Sequence, residues 1–346
     1  MNVPKPGIRM EEHALRLHHE AVVVDTHCDT LKCLNPRFTR VKGSMWEDRS
    51  DIGMGDRSSL GHVDIPRLRE GGVDCQVFAV SSERDRTPAY PLRTALEMIG
   101  TFYSECDKNR DAIRPVTSYD EIIEAANEGK VAAMLSIEGA DIIEGEVGML
   151  RVFHRLGVRM VGLVHNLRNQ LADGVTDART GGGLSELGVQ AVEELDRLGM
   201  LIDVSHLSDA GFWDLMDVAK GPLVASHSNS RAVCDHPRNM TDQMIRALAD
   251  CGGVMGMNFA PSFVHPTRPS VKTLVDHIDH IVDLVGPDHV GLGSDFDGIP
   301  STPTGLEDVT RMPNITAELL RRRYEEEDTR KILGGNHLRV MKKVVG

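Results

Sequence analysis

Residues 131–139 read VAAMLSIEG, a short apolar run that ends in a carboxylate. Five further runs have the same form, being rich in Val, Ile, Leu or Met with a His or an Asp as the last or next-to-last residue: VVVDTHCD (22–29), MVGLVHN (160–166), LIDVSH (201–206), LVASHS (223–228) and HVGLGSD (289–295). In barrel enzymes, functional residues gather at the C-terminal ends of parallel strands. Six such endings in one chain therefore predict an α/β fold, a (β/α)8 TIM barrel with these residues at one rim.

Strand-like runs alternate with helical patterns along the chain. The strand-like runs are mostly continuous rather than alternating, which is typical of strands buried on both faces of a parallel sheet. The eight predicted strands are Ala21–Asp25, Val73–Ser81, Val131–Ile137, Val158–His165, Leu201–Ser205, Leu223–Ser226, Val254–Phe259 and Val290–Gly293. The predicted helices are Leu92–Asn109, Ser118–Lys130, Leu187–Leu198, Ser208–Ala219, Thr241–Cys251 and Val271–Val285, followed by the C-terminal helices Thr316–Tyr324 and Glu326–Val344.

An open, doubly wound sheet is the alternative fold. Such a sheet gathers its ligands at one switch point between two strands. Here the candidate residues follow six different strands, which meet only if the sheet closes, so the barrel is favoured. No domain boundary is evident, and residues 1–346 are predicted to form a single domain. The polar, Gly-rich segments Arg37–Gly61 and Arg168–Gly183 are predicted to be active-site loops.

Composition limits the partners and the location. The 346-residue chain has a formal net charge of −13, which argues against nucleic acid or an anionic membrane surface as its main partner. No apolar stretch approaches the roughly 20 residues needed to span a bilayer, and the charged N-terminus lacks the apolar segment of a secretory signal. We therefore expect a cytoplasmic protein. Six scattered cysteines without a CxxC motif argue against a disulfide framework, and Cys28 is predicted to be structural.

Five of the strand-end residues have the chemistry of divalent-metal ligands. His27 and Asp29 are two residues apart and share one face of a strand. His206 and His227 follow neighbouring strands and would lie roughly 5 Å apart. Glu138 ends an apolar strand, where a carboxylate is costly to bury unless it meets a cation. A buried His–Asp hydrogen bond is the alternative for His27 and Asp29, and a hydrogen-bonded core position is the alternative for His206 or His227 alone.

Together these residues suggest two metal sites that share Glu138. One ion would be held by His27, Asp29 and Glu138, and the other by His206, His227 and Glu138. Two dications, two carboxylates and one bridging hydroxide leave a net positive charge, which can stabilise an anionic tetrahedral intermediate.

Asp295 and His165 are candidates for the remaining catalytic roles. Asp295 would act as general base and then acid, and Asp297 competes for this role from two residues further on. His165 would donate to a substrate oxygen as an oxyanion stabiliser, with a structural role as the alternative.

At these residues the chain resembles the membrane dipeptidase (renal dipeptidase) family of the metal-dependent amidohydrolase superfamily. The similarity extends over nearly the whole chain, through VVVDTHCDT, HVDIPRLREGGV, GKVAAMLSIEGAD, GLVHN, GMLIDVSHLSD, ASHSN, HPRNMTD, GLGSDFDGI and GGNHLRV. The resemblance implies two Zn²⁺ ions bridged by Glu138 and a hydroxide, and dipeptide substrates that often carry a D-residue at the C-terminal position. It also implies the ligands His27, Asp29, Glu138, His206 and His227, proton transfer by Asp295, and a His165 that contacts the scissile group.

The same resemblance implies that Arg238 pairs with the C-terminal carboxylate of the substrate, and it leads us to expect a homodimer. The leading hypothesis is thus a binuclear zinc-dependent dipeptidase. The alternatives are another amidohydrolase acting on N-acyl amino acids or lactones or by deamination, and a metal-bearing but catalytically inactive binding scaffold.

Overall fold

A ring of eight parallel strands forms the centre of the molecule. The structure, a computed structural model, describes residues 6–41, 43–81 and 90–346. The strands in the described residues are β1 Val24–Cys28, β2 Cys75–Ser81, β3 Ile113–Pro115, β4 Val131–Glu138, β5 Val158–Gly162, β6 Leu201–Asp203, β7 Val224–Ala225, β8 Val254–Met257 and β9 Val290–Leu292. The sheet order is β2-β1-β9-β8-β7-β6-β5-β4, and parallel pairing of β2 with β4 closes it. The predicted (β/α)8 barrel is confirmed.

Strand β3 lies outside the ring. It pairs in parallel with the first three residues of β4, Val131–Ala133, whereas β5 pairs with β4 from Leu135 onward. The sequence predicts no strand at this position, since the strand is only three residues long and includes one buried residue, Ile113.

Helices surround the ring and follow its strands. Their bounds are α1 Pro6–Glu20, α2 Thr30–Cys33, α3 Pro36–Thr39, α4 Ile65–Glu70, α5 Pro91–Lys108, α6 Tyr119–Asn127, α7 Met149–Arg155, α8 Glu186–Leu198, α9 Asp209–Val218, α10 Asp242–Asp250, α11 Pro261–Val264, α12 Val271–Val285, α13 Pro313–Arg321, α14 Glu326–Arg330 and α15 Asn336–Val344. A π-helix, Lys331–Gly335, joins α14 to α15. In the described part of the chain, no helix combines the length and apolar character that a membrane crossing needs.

Two apolar clusters hold these layers together. The larger one contains buried side chains from the strands and the surrounding helices. The smaller one contains residues of seven barrel strands together with Leu338, Val340 and Met341 of α15. The C-terminal helix therefore packs against the start of the strands, at the end of the barrel opposite the strand C-termini, and leaves those C-termini open for a site.

The bounds of several predicted strands differ from the observed ones. The first strand was predicted as Ala21–Asp25 but is Val24–Cys28, so His27 lies within the strand. Asp25 and Thr26 are buried in it because Ser294 donates to the Asp25 carboxylate and Thr26 donates to two backbone carbonyls. The fourth predicted strand was extended to His165, whereas the observed strand ends at Gly162.

The predicted start of helix α6 lies within one residue of the observed start. Ser118 caps α6 by accepting the backbone N–H of Glu121. Ser118 and Glu121 have the spacing of a capping box, but the box is incomplete, because the Glu121 carboxylate accepts from the backbone and hydroxyl of Thr117 rather than from the Ser118 backbone. The single-domain organisation of residues 1–346 stays a prediction.

Candidate metal centre

The strand ends bring the predicted ligands together at one rim of the barrel. His27 lies in β1 and Asp29 follows it, while Glu138 is the last residue of β4. His206 and His227 follow β6 and β7 by three and two residues. Three sets of residues place their ligand atoms within 4.8 Å of one another: His27, Asp29 and Glu138; Glu138, His206 and His227; and His27, His227 and Asp295. We call the first set the His27 half-site and the second the His206 half-site.

Glu138 is the common member of the two half-sites. Its Oε1 atom lies 3.2 Å from His206 Nε2, 3.3 Å from His27 Nε2 and 3.6 Å from His227 Nε2. The carboxylate is 5% exposed. Burial acts to raise the pKa of Glu138, but Lys32 and His27 outweigh it and hold that pKa well below its usual range. The carboxylate is therefore ionised, as a metal ligand must be.

Hydrogen bonds behind the two histidines fix which ring nitrogen faces the site. The Ser226 hydroxyl donates to the Asp203 carboxylate, so it accepts from His227 Nδ1–H at 2.7 Å. Asn166 Oδ1 accepts from His206 Nδ1–H at 2.9 Å. This assignment follows from the acceptor-only nature of the carboxylate and the amide oxygen. Both Nε2 atoms are then left as lone pairs that point into the site.

These lone pairs and the Glu138 Oε1 atom face one another, and a cation placed between them would interact favourably with all three. His206 Nε2 and His227 Nε2 are 2.9 Å apart, and both face Glu138 Oε1. Burial holds the pKa of each histidine well below its usual range, so both rings are neutral. Three acceptors without a proton between them repel one another, and a divalent ion turns that repulsion into coordination. The His206 half-site therefore fits a metal ion.

The His27 half-site fits a metal ion as well. His27 Nε2 is buried without a partner in hydrogen-bond geometry among the described residues, although Glu138 Oε1 lies nearby. Burial lowers the pKa of His27, but the carboxylates of Glu138, Asp29 and Asp295 outweigh it and raise the pKa to about 9. A ring surrounded by three carboxylates is in a field that attracts a cation.

Lys32 is a member of the site that the sequence analysis missed. It lies on the short helix α2, and its ammonium is 2.9 Å from Asp29 Oδ1 and 3.1 Å from Glu138 Oε2. Burial raises the pKa of Asp29 to about 7 even though the Lys32 ammonium acts to lower it. No spacing signal marked Lys32, because it follows the strand end by four residues and belongs to a helix.

Asp295 and Asp297 occupy different surroundings. Asp295 faces the metal centre, with Oδ1 4.0 Å from His27 Nε2 and Oδ2 accepting from the Asn258 amide at 2.9 Å. Asp297 points away from it, accepts from the Thr30 hydroxyl and the His62 backbone, and lies 3.8 Å from the buried Arg49 guanidinium. Of the two competing residues, Asp295 is the one at the site.

The backbone explains why the two aspartates diverge. Asp295 and Asp297 both have left-handed φ angles, 63° and 64°, so strand alternation does not apply there. His206 also has a left-handed φ of 70°. Such backbone costs on the order of 1–2 kcal/mol for a residue other than Gly, and it is typical of functional sites.

A cavity of about 460 Å³ opens from the metal centre. Its wall includes Asp29, Glu138, His165, Asp295 and Arg238, together with apolar residues such as Phe263 and Ile299. A volume in this range is typical of small-molecule sites. His165 Nε2 lies 3.9 Å from Glu138 Oε1 at the edge of this cavity.

The guanidinium of Arg238 is buried in the cavity wall. It donates to the backbone carbonyl of His227 at 3.2 Å and lies over the Phe263 ring at 5.6 Å. Burial lowers the pKa of Arg238, while Asp295, Asp203 and Glu138 act to raise it. A buried cation beside a cavity attracts a negatively charged group of a ligand.

A family model for membrane dipeptidases (peptidase family M19) matches residues 11–345 of the chain. The chain belongs to this family. Membership confirms the resemblance found in the sequence and the enzyme class predicted from it, a metallo-dipeptidase type of hydrolase.

Two curated relatives and one solved structure illustrate the membership. An uncharacterized dipeptidase of Schizosaccharomyces pombe is 35% identical over 342 residues, which cover 93% of this chain and 80% of the relative. Dipeptidase verJ of Clonostachys rogersoniana is 32% identical over 342 residues, which cover 96% and 86%. A metallopeptidase of Rhodobacter sphaeroides, solved with a phosphinate mimic of the dipeptide L-Ala-D-Ala, has a TM-score of 0.82 and 29% identity over 94% of this chain and 99% of that chain.

Family membership implies metal use and dipeptide substrates. The homodimer and the cytoplasmic location expected from the sequence stay predictions.

Proposed function

We propose that the chain hydrolyses the peptide bond of free dipeptides, of both L,L and L,D configuration, with two zinc ions shared through Glu138. The observation that carries this proposal is the convergence of five ligand side chains, Asp295 and the buried Arg238 on one cavity. A solved relative that holds a mimic of L-Ala-D-Ala supports the L,D part of the proposal.

The zinc ions would be held by His27, Asp29 and Glu138 in one half-site and by Glu138, His206 and His227 in the other. When bound, a zinc pair supplies an activated water as the nucleophile and a positive field for the charge that develops on the substrate carbonyl.

Asp295 is placed to handle the proton of the reaction. Burial raises the pKa of Asp295, even though the His27 ring and the Asn258 amide act to lower it. A carboxyl with a raised pKa accepts the proton of the nucleophile and returns it to the leaving amine more readily than an ordinary aspartate. The Asn258 amide holds Oδ2, which leaves Oδ1 directed toward His27 and the ligands.

His165 and Arg238 would orient the substrate. His165, 24% exposed at the cavity edge, donates to the carbonyl oxygen as negative charge develops there. Arg238 pairs with the free C-terminal carboxylate, because a forked guanidinium matches a carboxylate with two parallel hydrogen bonds. This pairing restricts substrates to those with a carboxylate one residue beyond the scissile bond.

A substrate panel tests the proposal. Zinc-loaded protein is assayed with L,L- and L,D-dipeptides, the same dipeptides with amidated C-termini, tripeptides, N-acyl amino acids and lactones. We expect turnover of the free dipeptides alone, and in Arg238→Ala a KM at least about tenfold higher with unchanged zinc content. Cleavage of amidated and free dipeptides at equal kcat/KM would remove Arg238 from recognition, and turnover of acyl amino acids or lactones alone would overturn the dipeptidase assignment.

Asp295→Asn tests the proton-transfer role. The amide keeps the size of the side chain but cannot accept a proton, so kcat for the best dipeptide should fall by roughly 10²- to 10⁴-fold. Zinc content should stay at the wild-type value. A kcat within a factor of about three of wild type would assign the proton transfer to another group.

A further inference from the structure

We propose that the two half-sites bind zinc unequally, because the ammonium of Lys32 competes for the ligands of the His27 half-site. The inference rests on the proposed zinc centre and adds which of the two ions is held more weakly. It concerns a residue that lies outside the ligand set and that helix α2 delivers to the site.

The position of Lys32 is well defined by its contacts. Its side chain is 1% exposed, and its ammonium touches Asp29 Oδ1 at 2.9 Å and Glu138 Oε2 at 3.1 Å. On another side the ammonium lies 5.3 Å from the centroid of the Trp46 ring. A cation thus already sits on two of the three ligands of the His27 half-site.

The His206 half-site has fewer ligand contacts with Lys32 than the His27 half-site. Of the two described carboxylate partners of Lys32, Asp29 belongs to the His27 half-site alone, whereas Glu138 belongs to both half-sites. At Glu138 the ammonium meets Oε2, and the rings of His27, His206 and His227 all face Oε1. The second cation nearby, Arg238, meets this half-site at the backbone carbonyl of His227 rather than at a ligand atom. Both of its histidines are also fixed with their Nε2 lone pairs inward.

This difference in contacts predicts a difference in affinity. A dication bound to Asp29 and Glu138 would share these two carboxylates with an ammonium, and two cations repel strongly where solvent does not screen them. Either the repulsion remains or the buried lysine must leave its carboxylates for a new position. Both cost binding free energy in the His27 half-site, so the first zinc ion should occupy the His206 half-site.

Stepwise removal of zinc from the loaded protein tests the inference. A competing chelator is added while bound zinc is measured, in the wild type and in Lys32→Met. We expect two release steps in the wild type, separated by at least about tenfold in free zinc concentration. In Lys32→Met the weaker step should move about tenfold or more toward tighter binding, because the competing charge is gone.

Further variants separate charge from folding. Lys32→Gln is a second neutral variant whose amide can bond the carboxylates, and it should behave like Lys32→Met. Lys32→Arg keeps the charge and should keep two separate steps. Lys130→Met, which removes a partly exposed ion pair with Glu128 before β4, is the matched control and should match the wild type.

Anomalous scattering at the zinc edge, measured at one equivalent of zinc, identifies the first ion to bind. Density between His206 and His227 supports the inference, and density between His27 and Asp29 overturns it. Equal release of both ions in the wild type, or an unchanged weaker step in both neutral variants, also overturns it while the proposed function stands. A protein that binds no zinc would overturn both.

Discussion

Asp203 and Ser226, which do not line the cavity, orient the imidazole of His227 through hydrogen bonds. Asp203 is buried, and besides the Ser226 hydroxyl its carboxylate accepts the backbone N–H groups of Ser205 and Ser226. The Ser226 hydroxyl, polarised by the carboxylate to which it donates, accepts the hydrogen bond from His227 Nδ1–H. Such outer hydrogen bonds fix the ring orientation and raise the basicity of the ligand nitrogen.

Ser226→Ala should therefore weaken zinc binding without removing a ligand. We expect the zinc dissociation constant of the His206 half-site to rise roughly 10- to 100-fold, measured by chelator competition. Ser230→Ala is the matched control, since the buried Ser230 hydroxyl has no hydrogen-bond partner in the described structure. If Ser226→Ala and Ser230→Ala hold zinc equally well, Ser226 has no positioning role.

Among the individual residues of the candidate site, those at strand ends are predictable from the sequence, whereas Lys32 is not. His27, Glu138, His206 and His227 each close an apolar run, and the periodicity of strands brings such endings together. Lys32 carries no such mark, because a lysine four residues past a strand ordinarily faces water. Only the closed barrel shows that α2 turns its side chain back onto the carboxylates.

At the scale of elements, the strand and helix order was predictable and the strand ends were not. The apolar run before Asp25 predicts a first strand Ala21–Asp25, which starts and ends three residues earlier than the observed strand Val24–Cys28. Inside the barrel the Ser294 hydroxyl donates to the Asp25 carboxylate, and the Gln76 amide donates to the Asp25 backbone carbonyl. The sequence around β1 does not reveal these contacts. The left-handed turn at Asp295 likewise depends on contacts made by the folded barrel.

The π-helix Lys331–Gly335 offers a test of close packing between elements. A Cβ atom at Gly334 would lie 2.1 Å from the Val22 carbonyl oxygen, which is backbone that cannot turn aside. Gly334→Ala should therefore lower the free energy of unfolding by about 1–3 kcal/mol, measured by urea denaturation. At Gly335 the nearest atom would be 3.4 Å away, so Gly335→Ala should change it by less than about 1 kcal/mol. Equal effects would show that the segment is not packed against β1 as described.

At the scale of the whole molecule, buried neutral histidines connect distant parts of the chain. His18 in α1 pairs through Nδ1 with the Thr316 hydroxyl in α13 and through Nε2 with the Gly71 carbonyl after α4. Burial lowers the pKa of His18 to about 4 from the ordinary 6.5. His277 behaves in the same way, with burial lowering its pKa to about 4.

These histidines predict a loss of stability in mild acid. Between pH 6.5 and about 4 the unfolded chain binds a proton at His18 and the folded chain does not, so the free energy of unfolding falls as pH falls. At about 1.4 kcal/mol for each pH unit, His18 alone contributes on the order of 3 kcal/mol. His18→Gln should flatten the pH dependence of urea denaturation over this range, and the neighbouring, exposed His19→Gln should not. Parallel pH curves for wild type and His18→Gln would contradict this.

The central claim is that a closed ring of strands places five side chains around a pair of zinc ions that share one carboxylate. The most direct measurement is anomalous diffraction at the zinc edge from crystals of the protein saturated with zinc. Two peaks roughly 3.5–4 Å apart, one touching His27 and Asp29, the other His206 and His227, and both touching Glu138, are the predicted result. A saturated crystal with no peak beside Glu138, or with a single peak that all five side chains share, would contradict it.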